Sequence, residues 1–222
     1  MSPLAWEWLG RQPYAEVLER QRRYRLAVIE RGAPEVIWLL EHDPVITTGR
    51  RPVPDLPSPS VLAARGIELA RTERGGLATY HCPGQLVAYA IVDCWTRGMG
   101  ARGAVHALEQ AVIDWLATLN LAATRRNGWP GVWIGDHKIC AIGMHFKQGI
   151  SMHGLALNIS NSLDGFSLIT PCGIQDAGVT RLLDHVANDL TPQRAAKLLA
   201  PHIVHNLDHP SCTSRRRSLR SS

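Results

Sequence analysis

Residues 131–160 read GVWIGDHKIC AIGMHFKQGI SMHGLALNIS. Apolar residues fill GVWIG (131–135), break at Gly135-Asp136, resume through KICAIGMHF (138–146) and return in GLALNIS (154–160). That pattern predicts a hairpin followed by a further strand, with no helix in between. Upstream, EVIWLLEH (35–42) reads as a buried strand, and VITTGR (45–50) continues extended after Asp43-Pro44. LATYH (77–81) and QLVAYAIVD (85–93) are two more strands on either side of the tight connection Cys82-Pro83-Gly84. Four prolines within 51–60 predict an irregular stretch there.

Helices bracket these strands. Tyr14, Val17, Leu18, Gln21, Tyr24, Arg25 and Val28 fall on one stripe of a helix over 13–31, ended by Gly32 and Pro34. A second helix runs from about Gly103 to Leu119, burying Val105, Leu108, Val112, Trp115, Leu116 and Leu119. A last one starts at Pro192 behind Thr191 as its cap. Strands cluster rather than alternate strictly with helices, which predicts an α+β fold: a mixed β-sheet flanked by helices.

The chain has 222 residues, 45% of them hydrophobic, and neither an internal repeat nor a linker, so one domain over 1–209 is expected. Its formal charge of +5 includes four arginines among the last ten residues (Arg215, Arg216, Arg217, Arg220), which leaves +1 for everything else. Residues 210–222 are Ser- and Arg-rich with almost nothing to bury, the composition of a solvated basic tail. No aromatic residue interleaves with those arginines, so nucleic acid is not an expected partner. Five cysteines at irregular spacing (Cys82, Cys94, Cys140, Cys172, Cys212) and no basic-then-apolar start suggest reduced thiols and a cytoplasmic protein. Apolar runs fall far short of the ~18 residues a membrane span needs.

There is no P-loop, no G-x-G-x-x-G opening a helix, no G-x-S-x-G, no H-E-x-x-H and no C-x-x-C. Three glycine-rich stretches hold the reactive groups instead. RGGLATYHCPGQL (74–86) brings paired glycines beside Tyr80 and His81; an ordinary glycine turn with a satisfied histidine is the competing reading. In GVWIGDHKICAIG (131–143), strict alternation places Lys138, Cys140 and Ile142 on one face and Ile139, Ala141 and Gly143 on the other. Only three of the 24 basic residues are lysine (Lys138, Lys147, Lys197), and lysine, unlike arginine, gives up its proton when desolvated. A lysine lying along the hairpin with its head in water is the competing reading. In LITPCGIQDAGVT (168–180), Cys172 sits between Pro171 and Gly173. Isolated cysteines are ordinarily small buried hydrophobes. A Pro-Cys-Gly turn has little need of one, and a nearby ammonium would favour the thiolate.

Across about residues 35–180 these stretches closely resemble the lipoyl(octanoyl) transferases, acyl-carrier-protein-dependent enzymes of lipoate biosynthesis. The resemblance lies in EHDPVITTGR, RGGLATYHCPGQL, GVWIGDHKICAIG, HGLALNIS and PCGI, in the family's order. It implies the fold of the biotin and lipoate ligase catalytic domains and an ATP-independent acyltransferase without cofactor or metal. It implies Cys172 as the nucleophile and Lys138 as the group that lowers its pKa. Implied acyl-binding positions are Arg74, Gly75, Gly76, Leu77, Ala78, Thr79, Tyr80 and His81, then Ala141, Ile142 and Gly143, then Gly154, Leu155 and Ala156. Implied partners are octanoyl-acyl carrier protein as donor and, as acceptors, the lipoyl domains of 2-oxoacid dehydrogenase E2 subunits and the glycine cleavage H protein. The family usually has glycine where this chain has Cys82, whose side chain could fill space harmlessly, narrow the acyl pocket or offer a second thiol. Alternatives are an ATP-dependent lipoate or biotin ligase, a lipoyl amidotransferase, and a non-catalytic module that binds lipoyl domains.

Overall fold

The computed structural model describes residues 4–53, 56–169, 178–187 and 190–210. Its frame is a seven-stranded mixed sheet in the order β1-β2-β6-β10-β9-β8-β7. The strands are β1 (Ala5–Gln12), β2 (Val36–His42), β6 (Gln85–Ile91), β7 (Thr124–Arg126), β8 (Trp129–Ile134), β9 (His137–Lys147) and β10 (Ile150–Asn158). Strands β1 and β2 run parallel and every other neighbouring pair is antiparallel. A second sheet, β4-β3-β5, is built from β3 (Val45–Thr48), β4 (Glu68–Arg71) and β5 (Ala78–His81). The connection Cys82-Pro83-Gly84 therefore does not close a hairpin. It hands the chain from the small sheet to the large one.

Because side chains alternate across a strand, the two faces of the large sheet need separate covers. One face presents Ile37, Leu39, Leu86, Ala88, Leu155 and Leu157 to α3 (Ala101–Thr118) and α4 (Pro192–Asp208), which contribute Leu108, Trp115, Leu199 and Ile203. The other presents Trp38, Leu40, Val87, Tyr89 and Ala156 to α1 (Tyr14–Ile29), which contributes Val17 and Val28. The small sheet packs Ile46, Ala78 and Tyr80 against Leu62 of α2 (Pro59–Ala64) and against Phe166. The proline-rich stretch thus gives way to a helix at Pro59, where Ser58 accepts a bond from the Val61 amide. Thr191 caps α4 in the same way, accepting from the Arg194 amide, with Pro192 as the first helical residue. The fully buried Arg97 side chain joins Glu35, at the entry to β2, to Asp208 at the end of α4.

Strand β9 corrects the alternation read from the sequence. Val132 pairs with Cys140 and Trp133 with Lys138, so Ile139 is an extra residue on β9. Ile139 and Cys140 both enter the core beneath α3. Lys138 consequently shares its face with Trp133, Gly131 and Ala141 and not with Cys140. Among the described residues no helix is long and apolar enough to cross a membrane.

Candidate active site

Strand β8 stops accompanying β9 at the Gly131–Ala141 pair, while β9 continues to Lys147. The free edge is taken up by the Arg74–Gly76 segment, where the Gly75 N–H donates to the Met144 carbonyl at 3.0 Å. A Cβ on Gly143 would stand 2.9 Å from the Gly75 carbonyl, and one on Gly49 2.8 Å from the Arg74 carbonyl, so glycine is what lets these backbones meet. Around this edge opens a cavity of about 1260 Å³.

Of the acyl-binding positions expected from the sequence, Arg74, Gly75, Gly76, Leu77, Ala78, Thr79, His81, Ala141, Ile142, Gly143, Gly154, Leu155 and Ala156 all line this cavity, as does Lys138. Tyr80 does not. Its ring turns into the small-sheet core, edge-on to Phe166 at 5.6 Å, in the space that Gly165 leaves open. Cys172 lies outside the described residues, as do Cys212 and most of the basic tail. The described neighbours of the Cys172 stretch, Phe166 before it and Val179 after it, both line the cavity. Lys138 is tied to the later one: its N–H donates to the Gly178 carbonyl at 2.9 Å, and its carbonyl accepts from the Thr180 N–H at 3.0 Å.

Lys138 is 6% exposed. Its Nζ donates to the Pro130 carbonyl at 3.1 Å and stands 4.7 Å from the centroid of the Trp133 ring, so the ammonium is held by a dipole and a π face. Gly131 makes room for it. At φ +130° this glycine keeps a backbone that other residues rarely adopt, and a Cβ there would lie 3.3 Å from Lys138 Cε. The Gly131 N–H donates to buried Glu109 at 2.9 Å, and the other Glu109 oxygen accepts from Arg125, also at 2.9 Å.

Sequence reasoning missed the polar floor of the cavity, formed by Tyr14, Tyr89 and His153 beside His81. In the sequence Tyr14 is the first residue of a helix stripe, Tyr89 lies inside a strand run and His153 immediately precedes one. The available signal was chemical: each places a polar group where its neighbours are apolar. His42 and Tyr89 are hydrogen-bonded at 2.8 Å, and the Tyr14 ring stacks on His81 at 5.9 Å. His153 Nε2 is buried with no hydrogen-bond partner among the described residues, the Glu73 carboxylate standing 4.0 Å away. His153 also carries a positive φ of 63°, a strained conformation for a strand residue. Burial pushes His42 down to about 4 and His81 to about 3, the latter helped by His42 and by Arg74. Burial likewise lowers His153, against the pull of Glu73. The floor is therefore polar but uncharged near neutral pH.

The three described cysteines offer no reactive thiol to the cavity. Cys82 is 4% exposed among Tyr80, Phe166 and Ile169, its Sγ 3.6 Å from the Ser162 carbonyl. It therefore fills the small-sheet core and does not narrow the cavity. Burial raises the thiol of Cys82, takes that of Cys94 to about 11, and raises that of Cys140 well beyond, although Lys138 pulls the last one down. No group of three His, Cys, Asp or Glu among the described residues is placed to hold a metal ion.

Known proteins share both the sequence and the fold. The chain is 41% identical over 206 residues to the Octanoyltransferase of Nitratidesulfovibrio vulgaris, spanning 91% of this chain and 94% of that one. It is 41% identical over 208 residues to the Octanoyltransferase of Clavibacter sepedonicus, spanning 90% and 87%. Among solved structures it is similar to lipoate-protein ligase A bound with ATP (TM-score 0.72, 20% identity, 92% of this chain and 84% of that one). It is also similar to the Aquifex aeolicus biotin protein ligase in complex with biotin and ATP (TM-score 0.55, 12% identity, 93% and 71%), a likeness of fold alone. The mixed sheet with its flanking helices is thus the scaffold of those ligases. Residues 13–204 match the lipoyl protein ligase A/B catalytic domain, and the chain belongs to that family.

Proposed function

We propose that this chain is an octanoyltransferase of lipoate biosynthesis, which moves an octanoyl group from a carrier-protein thioester to a lysine of a lipoyl domain. The observation that carries the reading is the identity, over almost the whole chain, with proteins named octanoyltransferase. The geometry agrees. The cavity is walled in part by glycine and small apolar residues, fit for an alkyl chain, and one buried ammonium, Lys138, opens onto it.

In the proposed cycle the Cys172 thiolate attacks the donor carbonyl, forming a C–S bond to the enzyme and releasing the carrier thiolate, which takes up a proton from the Lys138 ammonium. The acceptor lysine then attacks the enzyme thioester as a neutral amine. An amide C–N bond forms, the C–S bond to Cys172 breaks to restore the thiolate, and the amine proton passes to Lys138, neutral since the first step, which restores its ammonium. Thioester exchange is nearly balanced and amide formation from a thioester is downhill, so the cycle needs no ATP. Among the described cysteines none competes for the nucleophile's place, since Cys82, Cys94 and Cys140 are buried with raised thiols.

The test is intact-mass analysis after mixing the protein with octanoyl carrier protein and no ATP. One added octanoyl group is expected, released by hydroxylamine, mapped to Cys172 and absent from Cys172→Ala. An adduct on Cys82, or acylation that requires ATP and survives Cys172→Ala, would overturn the reading.

A further inference from the structure

We propose that Arg50, Arg51 and Arg102 form a phosphate-recognition site at the mouth of the cavity, which selects donors whose thioester hangs from a phosphodiester-linked arm. This rests on octanoyl transfer from a carrier thioester being the reaction.

Charge distribution is the first observation. Among the described residues, seven cationic side chains and one carboxylate line the cavity, a net of +6 with histidines neutral, whereas the whole chain carries +5. Positive charge concentrated this strongly on one concave surface costs self-repulsion and attracts an anion. An octanoyl chain is neutral and an acceptor lysine is not anionic. Neither explains the field.

Four of the seven cations have work inside the protein. Arg74 is buried and donates to the Thr47 carbonyl at 2.6 Å and to Thr47 Oγ1 at 2.9 Å. Arg125 bonds Glu109 at 2.9 Å and Gln110 at 2.7 Å. Arg126 pairs with Asp136 and lies 4.4 Å over the Trp133 ring. Lys138 is held at Pro130. Arg50, Arg51 and Arg102 are exposed, and their guanidinium groups make no hydrogen bond or ion pair with any described residue.

Two of them, Arg50 and Arg102, are nevertheless anchored at their backbones. The Arg50 N–H donates to the Arg74 carbonyl at 3.1 Å, which fixes it to the segment that lines the β9 edge. Arg102 sits in the first turn of α3, whose N-cap Gly100 offers no side-chain cap and whose first turn has no acidic residue. The positive end of that helix adds to the field of Arg102 with no carboxylate to cancel it. Guanidinium forks are the side chains best matched to phosphate oxygens.

A carrier protein presents its acyl thioester at the tip of a pantetheine arm joined through a phosphodiester. A donor of that kind places neutral acyl carbon deep in the cavity and a phosphate nearer the mouth, the same polarity as the lining. Phosphate could equally come from a nucleotide, and the test separates the two sources.

Transfer to a lipoyl domain by the full chain is measured with octanoyl-pantetheine, with octanoyl-4′-phosphopantetheine, and with octanoate plus ATP and magnesium. The phosphorylated thioester is expected to show a KM roughly tenfold below the phosphate-free one at similar kcat. That advantage should shrink as salt rises from about 0.05 to 0.5 M. In the triple variant R50A/R51A/R102A, and more sharply in Arg102→Glu alone, the ratio of the two KM values falls toward one. Arg65→Ala, exposed outside the cavity, keeps the ratio. Equal KM values for the two thioesters, or a ratio that survives the triple substitution, overturns the site. Acylation from octanoate and ATP that the triple variant loses assigns the phosphate to a nucleotide and also overturns it. Failure of every donor brings down octanoyl transfer itself, an outcome distinct from thioester transfer that ignores phosphate.

Discussion

Among the described residues, the Lys138 side chain meets the Pro130 carbonyl, the Trp133 face and the space left by the missing Cβ of Gly131. A guanidinium keeps the charge but is wider and does not give up its proton. Lys138→Arg is therefore expected to lower the transfer rate by about 10²-fold or more while the protein still melts cooperatively. Full activity would reduce Lys138 to a source of field. Gly131→Ala is predicted to be worse for the fold, because alanine is strained at φ +130° and its Cβ would run into the Cys140 carbonyl. A loss of about 1–3 kcal/mol should appear in urea denaturation. Cysteine reactivity is a third outcome at this scale. With their thiols raised by burial, Cys82, Cys94 and Cys140 should resist iodoacetamide at neutral pH, while Cys172 alkylates first and activity falls in step. Peptide mass spectrometry reads the order directly, and early labelling of Cys82 would contradict its burial.

Among elements, those with a local signal were readable from the sequence. The α1 stripe anticipates the buried set Tyr14, Val17, Leu18, Gln21, Arg25 and Val28, and Thr191 caps α4 as its side-chain chemistry requires. Thr191→Ala should accordingly cost ~1 kcal/mol, measured by chemical denaturation, with no change in donor KM. Three features had no local signal. Strand β1 shows mostly exposed or half-buried residues, and its place comes from parallel pairing with β2, a distant segment. The division of β5 and β6 between two sheets depends on β3 and β10 being available as partners. The extra residue at Ile139 is decided by packing, since Ile139 and Cys140 are both fully buried under α3, and no alternation rule sends successive residues into one core. For the site the division is similar. The glycine-rich walls and Lys138 were visible as unusual residue types, whereas the polar floor is assembled from α1, β6 and β10, segments far apart in the sequence, so that only the fold brings Tyr14, Tyr89 and His153 together.

For the molecule as a whole, that floor, together with the His42 bonded to its Tyr89, ties stability to pH. His42, His81 and His153 are buried and neutral, with His42 held near 4, His81 near 3 and His153 also below its ordinary value, in each case chiefly by burial. An exposed histidine in the unfolded chain binds its proton near pH 6.5. Above that pH both states are neutral at these positions and the folded state keeps its full stability. As pH falls from about 6.5 toward 4 the unfolded state takes up protons that the folded state refuses, so stability declines with acidification. Three such protons give a limiting slope of about 4 kcal/mol per pH unit near pH 5, large against the ~5–15 kcal/mol that holds a typical domain. Glu73 does not blunt the effect. Burial pushes its carboxyl up, but the two hydrogen bonds from Arg22 and the nearby charges bring it down to about 2, so it stays ionised throughout this window. Urea denaturation at pH 7.5, 6.0 and 5.0 should show unfolding free energy falling at each step, and His42→Asn should shallow the fall by about one third. Equal stability at pH 7.5 and 5.0 would mean that the buried histidines take up protons without unfolding, and that the floor of the cavity carries charge in acid.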